Sequence, residues 1–237
     1  MAVAVASVHR VADVVPAIVS LERISRTYAM DRVRVDALRD VSLEVAAGEF
    51  VAIVGPSGSG KSTMMNIIGC LDRPSTGVYR LAGTAVASLG DDGLASLRSR
   101  TIGFVFQSYN LLPRTTALDN VATPLLYQGV RRRERVARAT AALERLGLGD
   151  RLDHEPTELS GGQQQRVAVA RAIVTNPALI LADEPTGNLD SAAGRDVLGV
   201  HRELHAGGAT IVLITHDPEV AAAAERQVHI RDGQVWT

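Results

Sequence analysis

The alternation of apolar and polar positions along the chain predicts a mixed α/β fold. Strand-like patterning covers residues 18–28 and 35–45, and a fully apolar run follows at residues 50–54. Runs of this kind, bounded by turn residues, are typical of strands that are buried in a sheet. The first two segments therefore predict an opening antiparallel layer, and the third predicts a central strand.

Beyond these strands, the pattern alternates between helical and strand-like spacing. From residue 119 to about residue 148 the spacing is helical, with Val136, Leu143 and Leu146 on one face. We interpret residues 90–158 as mostly an inserted helical subdomain. The other predicted elements are helices at residues 64–71, from 159–163 to Pro177, and after Asp217, and strands at residues 78–86, 101–107, 178–184, 210–215, 227–230 and 234–236.

A glycine-rich loop lies between the strand at residues 50–54 and the next helix. It reads Gly55-Pro56-Ser57-Gly58-Ser59-Gly60-Lys61-Ser62-Thr63. Its glycines permit backbone angles that side chains forbid, so successive N–H groups can point at one anion beside a helix start. Lys61 would reach the β- and γ-phosphates, and the Ser62 hydroxyl would hold Mg²⁺. The loop predicts a nucleotide site of the kind that kinases, GTPases and many ATPases share. An incidental surface loop is the alternative.

A second glycine pair opens a later helix. The run is Leu159-Ser160-Gly161-Gly162-Gln163, and the helix that it opens ends before Pro177. A helix start with two glycines offers bare N–H groups and the positive end of the helix dipole to an anion. The chain therefore carries two predicted anion-binding helix starts.

Two carboxylates and a histidine follow buried strands later in the chain. Asp183 and Glu184 end one apolar run, and His216 follows the next. Ligands of open α/β sheets bind at the carboxyl edge of the strands. We expect Asp183 to hold the water shell of Mg²⁺, Glu184 to polarise an attacking water, and His216 to contact a γ-phosphate. A carboxylate pair that only caps the next turn is the alternative.

Composition narrows the class of protein. The 237 residues carry 25 basic and 26 acidic side chains, so no net field recruits nucleic acid or an acidic membrane surface. We interpret the arginine-rich run at residues 131–135 as a solvated helix start rather than a binding patch.

Cys70 is the only cysteine, which excludes an intrachain disulfide and indicates a buried thiol. No uncharged run reaches the roughly eighteen residues of a membrane span. Residues 1–17 predict no clear structure, and we treat them as an extension that is open to disorder.

Five motifs occur in the order seen in the ATP-binding subunits of ABC transporters, which the chain resembles over about residues 18–236. They are the loop 55–63, Gln107, the sequence at 159–163, the acidic pair 183–184 and His216. The sequence at 159–163 is the most specific, because other phosphate-loop enzymes lack it. The resemblance implies a P-loop NTPase of ABC type, with a mixed-sheet core and an antiparallel β subdomain at residues 18–89 and 159–237, and the helical subdomain inserted at about 90–158.

The resemblance also implies how the site works. Residues 160–163 of one copy would close over ATP held by residues 55–63 of a second copy, in a head-to-tail homodimer with two ATP molecules. Glu184 would position the attacking water, while Lys61, Mg²⁺ and His216 offset the developing charge.

Further site residues follow from the same resemblance. Ser62, Gln107 and Asp183 are the implied metal-site residues, and Gln107 would also touch the helical subdomain. The implied link between the two sites of the dimer is the loop Asn188-Leu189-Asp190. Tyr28 corresponds to the aromatic residue that stacks on adenine, although plain packing is the alternative for it.

Residues 104–113 and 181–191 look like the MacB and LolD branch, whose ATPases drive FtsX-like permeases that export peptides or macrolides, or release lipoproteins. MacB carries its membrane part on the same chain. The 237 residues of this chain include no such membrane part. We therefore expect a separate integral membrane permease and a peripheral location on the cytoplasmic face of the membrane. Tyr109, Leu111 and Leu112 are the candidate groove for a permease helix, with a locally packed loop as the alternative.

Two other functions stay open from the sequence. One is a soluble ABC ATPase of DNA repair or translation, but repair members carry long insertions and translation members join two such domains in one chain. The other is an ATP-driven switch that controls an extracytoplasmic enzyme through the permease and moves no solute. The sequence does not separate this switch from a transporter.

Overall fold

Two β-sheets and a series of helices form the structure, a computed structural model that describes residues 16–30 and 33–236. The strands are β1 (Ala17–Met30), β2 (Val33–Ala46), β3 (Phe50–Val54), β4 (Thr76–Leu81), β5 (Thr84–Ala85), β6 (Ile102–Val105), β7 (Leu179–Asp183), β8 (Ile211–Thr215), β9 (Arg226–Arg231) and β10 (Gln234–Trp236). The helices are α1 (Lys61–Ile68), α2 (Asp91–Thr101), α3 (Ala117–Tyr127), α4 (Arg132–Arg145), α5 (Gly161–Ile173), α6 (Ser191–Ala206) and α7 (Pro218–Ala221).

The first sheet is antiparallel, with the strand order β2-β1-β4-β5. Val19 and Leu21 on β1, and Leu43 and Val45 on β2, are buried at alternate positions. This period of two is what one covered face of a sheet requires. The predicted opening antiparallel layer is therefore confirmed.

The second sheet has the order β10-β9-β3-β8-β7-β6, in which β9, β3, β8, β7 and β6 run parallel and β10 forms a hairpin with β9. Its strand β3 separates two apolar clusters. Val51 and Ile53 belong to the cluster that includes α1 and the antiparallel sheet, whereas Phe50 and Ala52 belong to the cluster that includes α3, α4 and α5. Burial on both faces explains why the strand reads as one continuous apolar run.

The helices of the structure differ in detail from those that the hydrophobic spacing predicts. The helical spacing predicted from residue 119 to 148 is divided into α3 and α4, with Gly129 at a positive φ of 75° in the break. Leu143 and Leu146 are buried, whereas Val136 on the same helix is 38% exposed. The helices α2 and α6 were not predicted.

Two predicted boundaries also shift. Ala17, which we predicted to belong to the N-terminal extension, pairs with Ala46, and the Pro16 carbonyl accepts a hydrogen bond from the Ala47 N–H at 3.1 Å. The rest of that predicted extension lies outside the described residues. Strand β6 falls within residues 90–158 but pairs with β7, so this part of the segment belongs to the parallel sheet.

Candidate functional site

The glycine-rich loop joins β3 to α1 and is packed tightly against its neighbours. Gly60 begins the helix at a φ of 109°. A Cβ atom at Gly60 would lie 2.6 Å from the Ala37 carbonyl oxygen, and one at Gly55 would lie 2.2 Å from the Ile230 carbonyl oxygen. Both positions therefore require glycine, because any side chain would collide with the backbone of β2 or β9.

A cavity of about 540 Å³ opens over this loop, which is within the size range of small-molecule sites. Lys61 lies in it, and its Nζ donates to the carbonyl oxygens of Gly55 and Pro56 at 2.7 and 2.8 Å. Arg39 lines the same cavity, and sequence reasoning missed it because an arginine on the polar face of a strand is ordinarily solvated. The other lining residues are Val35, Asp36, Ala37, Gly58, Gly60, Ser62, Thr63, Asp232 and Gly233.

Glu184 follows β7 directly, and both of its carboxylate oxygens are hydrogen bonded. Oε1 accepts from the His216 N–H at 3.0 Å and lies 2.6 Å from the His216 Nδ1, while Oε2 accepts from the Thr215 hydroxyl at 2.9 Å. Since an ionised carboxylate can only accept, Nδ1 carries a proton and Nε2 is left for another partner. The predicted γ-phosphate contact of His216 stays a prediction; here its imidazole pairs with Glu184.

The backbone of Glu184 has a φ of 43°, in the left-handed region that favours glycine. The Glu184 N–H donates to the Ile214 carbonyl at 2.8 Å, and the Glu184 carbonyl accepts from the Gly187 N–H at 3.0 Å. Such conformations persist where surrounding contacts hold them, and they occur often at active sites.

Asp183 is the side chain most suited to a cation. Burial, and then the charge of Glu184, raise the pKa of Asp183, while Lys61 lowers it. A carboxylate in this position gains from a nearby positive ion. With the Ser62 hydroxyl and the Gln107 amide, it supplies the oxygen donors that Mg²⁺ prefers, so the residues fit that ion. Among the described residues, no three His, Cys, Asp or Glu side chains cluster for a metal.

Gln107 lies beside the loop that follows Glu184. The Asn188 Nδ2 donates to the Gln107 carbonyl at 3.0 Å, and the Gln107 Nε2 lies 3.4 Å from the Asn188 Oδ1. Gly187 permits this approach, since a Cβ atom there would lie 2.7 Å from the Gln107 Nε2. The structure therefore joins two residues that the sequence assigned to separate roles. In the same loop, the Asp190 Oδ1 caps α6 by accepting from the N–H groups of Ala192 and Ala193, both at 2.9 Å.

The helix start at residues 160–163 is closed by a capping box. The Ser160 Oγ accepts from the Gln163 N–H at 3.3 Å, and the Gln163 Oε1 accepts from the Ser160 N–H at 2.9 Å. The N–H groups of Gly161 and Gly162 have no intrahelical acceptor at this position. They therefore stay available to an anion.

This helix start lies next to Tyr109, in the segment that follows β6 and carries Gln107, rather than next to the phosphate loop. A Cβ atom at Gly161 would meet the Tyr109 hydroxyl at 3.0 Å and the Leu189 Cδ2 at 3.3 Å. Within the described residues, no hydrogen bond joins residues 160–163 to residues 55–63. The two predicted anion sites are therefore separate within one chain.

Tyr28 is held by charged neighbours. Its hydroxyl donates to the Asp72 Oδ2 at 2.8 Å, and the Arg26 guanidinium lies 4.5 Å from the ring centroid. Arg26 also pairs with Asp72 at 2.9 Å. Tyr28 is not among the residues that line the cavity over the phosphate loop, so adenine stacking stays a prediction.

A second cavity, of about 880 Å³, opens between β6, α2, α3 and α5. Phe104, Phe106 and the 81% exposed Tyr127 line it. None of Tyr109, Leu111 and Leu112 lines this cavity, so the groove predicted at these residues stays a prediction.

The predicted groove residues have other surroundings. Leu111 is partly buried against the helical cluster. The carbonyl oxygen of Tyr109 accepts from the Arg171 guanidinium at 2.8 Å. Sequence reasoning missed Tyr127 and Arg171, since neither belongs to a motif.

None of the helices in the described ranges has both the length and the apolar character that crossing a membrane requires.

Comparisons with known proteins agree with this geometry. The ABC transporter family profile matches residues 38–187. An ABC transporter ATP-binding protein of Thermotoga maritima is 54% identical over 218 residues, which cover 92% of this chain and 93% of that protein. The macrolide export ATP-binding/permease protein MacB of Rhodospirillum rubrum is 55% identical over 224 residues, which cover 94% of this chain and 34% of MacB. The chain thus spans about a third of the length of this MacB relative.

A solved structure matches as well. The dimeric post-hydrolysis state of the ATP-binding cassette MJ0796, bound to ADP and Pi, has a TM-score of 0.85 and 45% identity, covering 92% of this chain and 97% of that one. The fold described above agrees with this likeness. The chain belongs to the ABC transporter family, as an ATP-binding subunit with ATPase activity.

Proposed function

We propose that two copies of this chain close head to tail on two ATP molecules and drive an integral membrane permease on a separate chain. The observation that carries this proposal is the separation of the two anion-binding helix starts. Strand β3, which leads into the phosphate loop, is three strand positions from β6, against which α5 packs. Three spacings amount to about 14 Å. A second copy is needed to bring Gly161 and Gly162 to the same ATP.

The two helix starts would meet opposite sides of one nucleotide. In the closed pair, Lys61 and the start of α1 hold the phosphates, and the N–H groups of Gly161 and Gly162 come from the partner copy. Each ATP then adds negative charge to both sets of donors and joins the copies. Hydrolysis removes the γ-phosphate that bridges the two copies, so the copies can separate. The free energy of ATP binding thus drives closure of the dimer, and hydrolysis allows it to open. The dimeric MJ0796 cassette with ADP and Pi is consistent with this arrangement.

Hydrolysis depends on the residues at the sheet edge. Glu184 accepts a proton from water as that water attacks the γ-phosphorus in line, and the bond to the ADP oxygen breaks with its electron pair leaving on ADP. Lys61 offsets the charge that develops on the phosphoryl oxygens. Mg²⁺, which Ser62, Gln107 and Asp183 would hold, supplies further charge neutralisation when bound. The His216 contact with Oε1 must open before that oxygen can receive the water.

Replacing Glu184 by Gln tests this role. Glu184→Gln keeps the shape of the side chain and removes the base, so we expect intact ATP binding, turnover at least about a hundredfold lower, and a dimer that persists with ATP. Glu203→Gln makes the same chemical change at an exposed position of α6 and serves as the matched control. Turnover of Glu184→Gln within twofold of the control would refute the role of Glu184.

The permease is proposed to dock in the cavity of about 880 Å³ between α2, α3, α5 and β6. Its aromatic lining and the exposed Tyr127 offer apolar area to a short helix. The likeness to MacB, a macrolide export ATP-binding/permease protein, supports a permease partner. We further propose that this permease is FtsX-like, that the subunit lies on the cytoplasmic face of the membrane, and that the substrate is a peptide, an antibiotic or a lipid-linked molecule.

A charged substitution in the cavity tests the proposed docking of the permease. Tyr127→Glu should abolish copurification with the native membrane partner and leave basal ATPase activity within twofold. Val136→Glu places the same charge at an exposed apolar position of α4 that does not line the cavity. Equal copurification by the two variants would refute this docking site.

A further inference from the structure

Thr215 ends β8 and has a fully buried side chain, with 0% exposure. Its hydroxyl oxygen accepts from the Asp217 N–H at 3.0 Å and lies 2.9 Å from the Glu184 Oε2. A hydroxyl has a single proton, and an ionised carboxylate cannot donate one. The proton of Thr215 is therefore directed at Glu184.

The position of Thr215 connects the phosphate loop to Glu184. Thr215 pairs with Val54, the last residue of β3 before the loop, and Ile214 pairs with Asp183 on β7. The strand β8 is central in the sheet and buried along its length. A β-branched side chain here has a restricted χ1 angle, so the hydroxyl is held in a fixed position relative to the start of the phosphate loop.

The two oxygens of Glu184 have different partners. Oε1 accepts from the His216 backbone N–H at 3.0 Å and contacts the 66% exposed His216 imidazole, whereas Oε2 accepts from the buried Thr215 hydroxyl. If the imidazole turns away, Oε1 keeps its backbone bond and gains a free lone pair for water, while Oε2 stays bonded to Thr215. One oxygen can then act as the base because the other fixes the direction of the carboxylate.

We propose that Thr215 is the positioning residue that aims Glu184 at the attacking water. This inference rests on the proposed role of Glu184 as the base. Thr215 itself touches neither the substrate nor the reacting atoms. Its loss should therefore lower the rate of the chemical step and leave ATP affinity unchanged, since a small misplacement of a catalytic group is enough to slow a reaction strongly.

The test compares Thr215→Val, which keeps the shape but lacks the hydroxyl, with Thr215→Ser, which keeps the hydroxyl. We expect Thr215→Val to lower single-turnover hydrolysis about tenfold with the Kd for ATP within twofold, and Thr215→Ser to stay within about threefold of the unchanged protein. Equal rates for Val and Ser, or a loss explained by weaker ATP binding, would overturn the proposal. If Thr215→Val fails to fold, Thr215→Ala, which also lacks a donor, takes its place with the same expectation.

A double variant separates this inference from the role of Glu184. If Thr215 acts through Glu184, adding Thr215→Val to Glu184→Gln lowers the residual rate by less than twofold. A further tenfold loss would overturn the positioning role and leave Glu184 as the base. Normal hydrolysis by Glu184→Gln alone would instead refute the proposed base, whatever Thr215→Val does, and the inference with it.

Discussion

Replacing Gly187 by Ala should displace Gln107 without unfolding the chain. A Cβ atom at residue 187 would lie 2.7 Å from the Gln107 Nε2, whereas ordinary contacts begin at 3.4 Å, so the amide must move by about 0.7 Å. Its bond to the Asn188 Oδ1 is already 3.4 Å long and would be lost. Because the obstructed atom is the end of a flexible, exposed side chain, the free energy of unfolding should change by no more than about 1 kcal/mol.

The effect on activity should be much larger. A displacement approaching 1 Å in a catalytic site can slow a reaction about a hundredfold, so we expect Gly187→Ala to hydrolyse ATP about tenfold to a hundredfold more slowly. If Gln107 helps to hold Mg²⁺, the Mg²⁺ concentration for half-maximal activity should rise as well. Steady-state ATPase assays across Mg²⁺ concentrations, with urea unfolding of the same samples, measure both effects.

Gly199→Ala is the matched control for this prediction. Gly199 is inside α6, and apart from the adjacent backbone of that helix no atom of the described residues lies within 4 Å of a Cβ atom there. This change should leave hydrolysis unaltered and add about 0.5–1 kcal/mol of stability, because alanine favours a helix over glycine. If Gly187→Ala hydrolysed ATP at the rate of Gly199→Ala, the placement of Gln107 in the chemistry would be refuted.

Two further predictions concern Asp183 and Gly103. Because the pKa of Asp183 is raised in the folded chain, the folded chain keeps the Asp183 proton to a higher pH than the unfolded chain does. Ionised Asp183 therefore lowers the stability of the fold above this pKa. The loss of stability disappears as the pH falls through the pKa. Mg²⁺-dependent hydrolysis should therefore decline as the pH falls through the same pKa. Asp183→Asn should lose at least about a hundredfold in ATPase activity and should resist urea better than the unchanged protein at pH 8. Lower stability of Asp183→Asn at pH 8 would contradict this. Gly103→Ala places a Cβ atom 2.2 Å from the Ala172 carbonyl oxygen in the buried contact of β6 with α5, so unfolding should become easier by about 1–3 kcal/mol. A change below about 0.5 kcal/mol in urea unfolding would show that this contact relaxes freely.

The sequence predicts those elements of the fold that depend only on neighbouring residues, such as an apolar strand or a tight turn. The apolar run of β3 has the same bounds in the structure as in the pattern, since burial on both faces leaves no polar position. The hairpin between β9 and β10 turns at Asp232 and Gly233, where φ is 51° and 76°, as the Asp-Gly pair predicts. Cys70 is buried, and burial raises the pKa of its thiol, in agreement with its apolar surroundings.

The elements that sequence reasoning missed depend on tertiary packing. The buried face of α6 includes Gly194 and His201, which weaken an apolar periodicity, and the polar α2 buries only Leu94 and its last residue. The hydrogen bond from Thr215 to Glu184 joins residues 31 positions apart and follows from the register of β7 and β8. The contacts of Tyr28 with Arg26 and Asp72 have the same origin, because they require the folded sheet.

Crosslinking between two copies tests the ATP-bridged dimer most directly. Ser57 in the phosphate loop and Ser160 at the start of α5 are both exposed. One copy would carry Ser57→Cys and the other Ser160→Cys, each with Glu184→Gln to retain ATP and Cys70→Ala to remove the only native thiol. We expect a short bifunctional thiol reagent to join the two different copies with ATP and not without nucleotide, and to join neither variant to itself. Absence of the mixed product at saturating ATP would contradict the shared site.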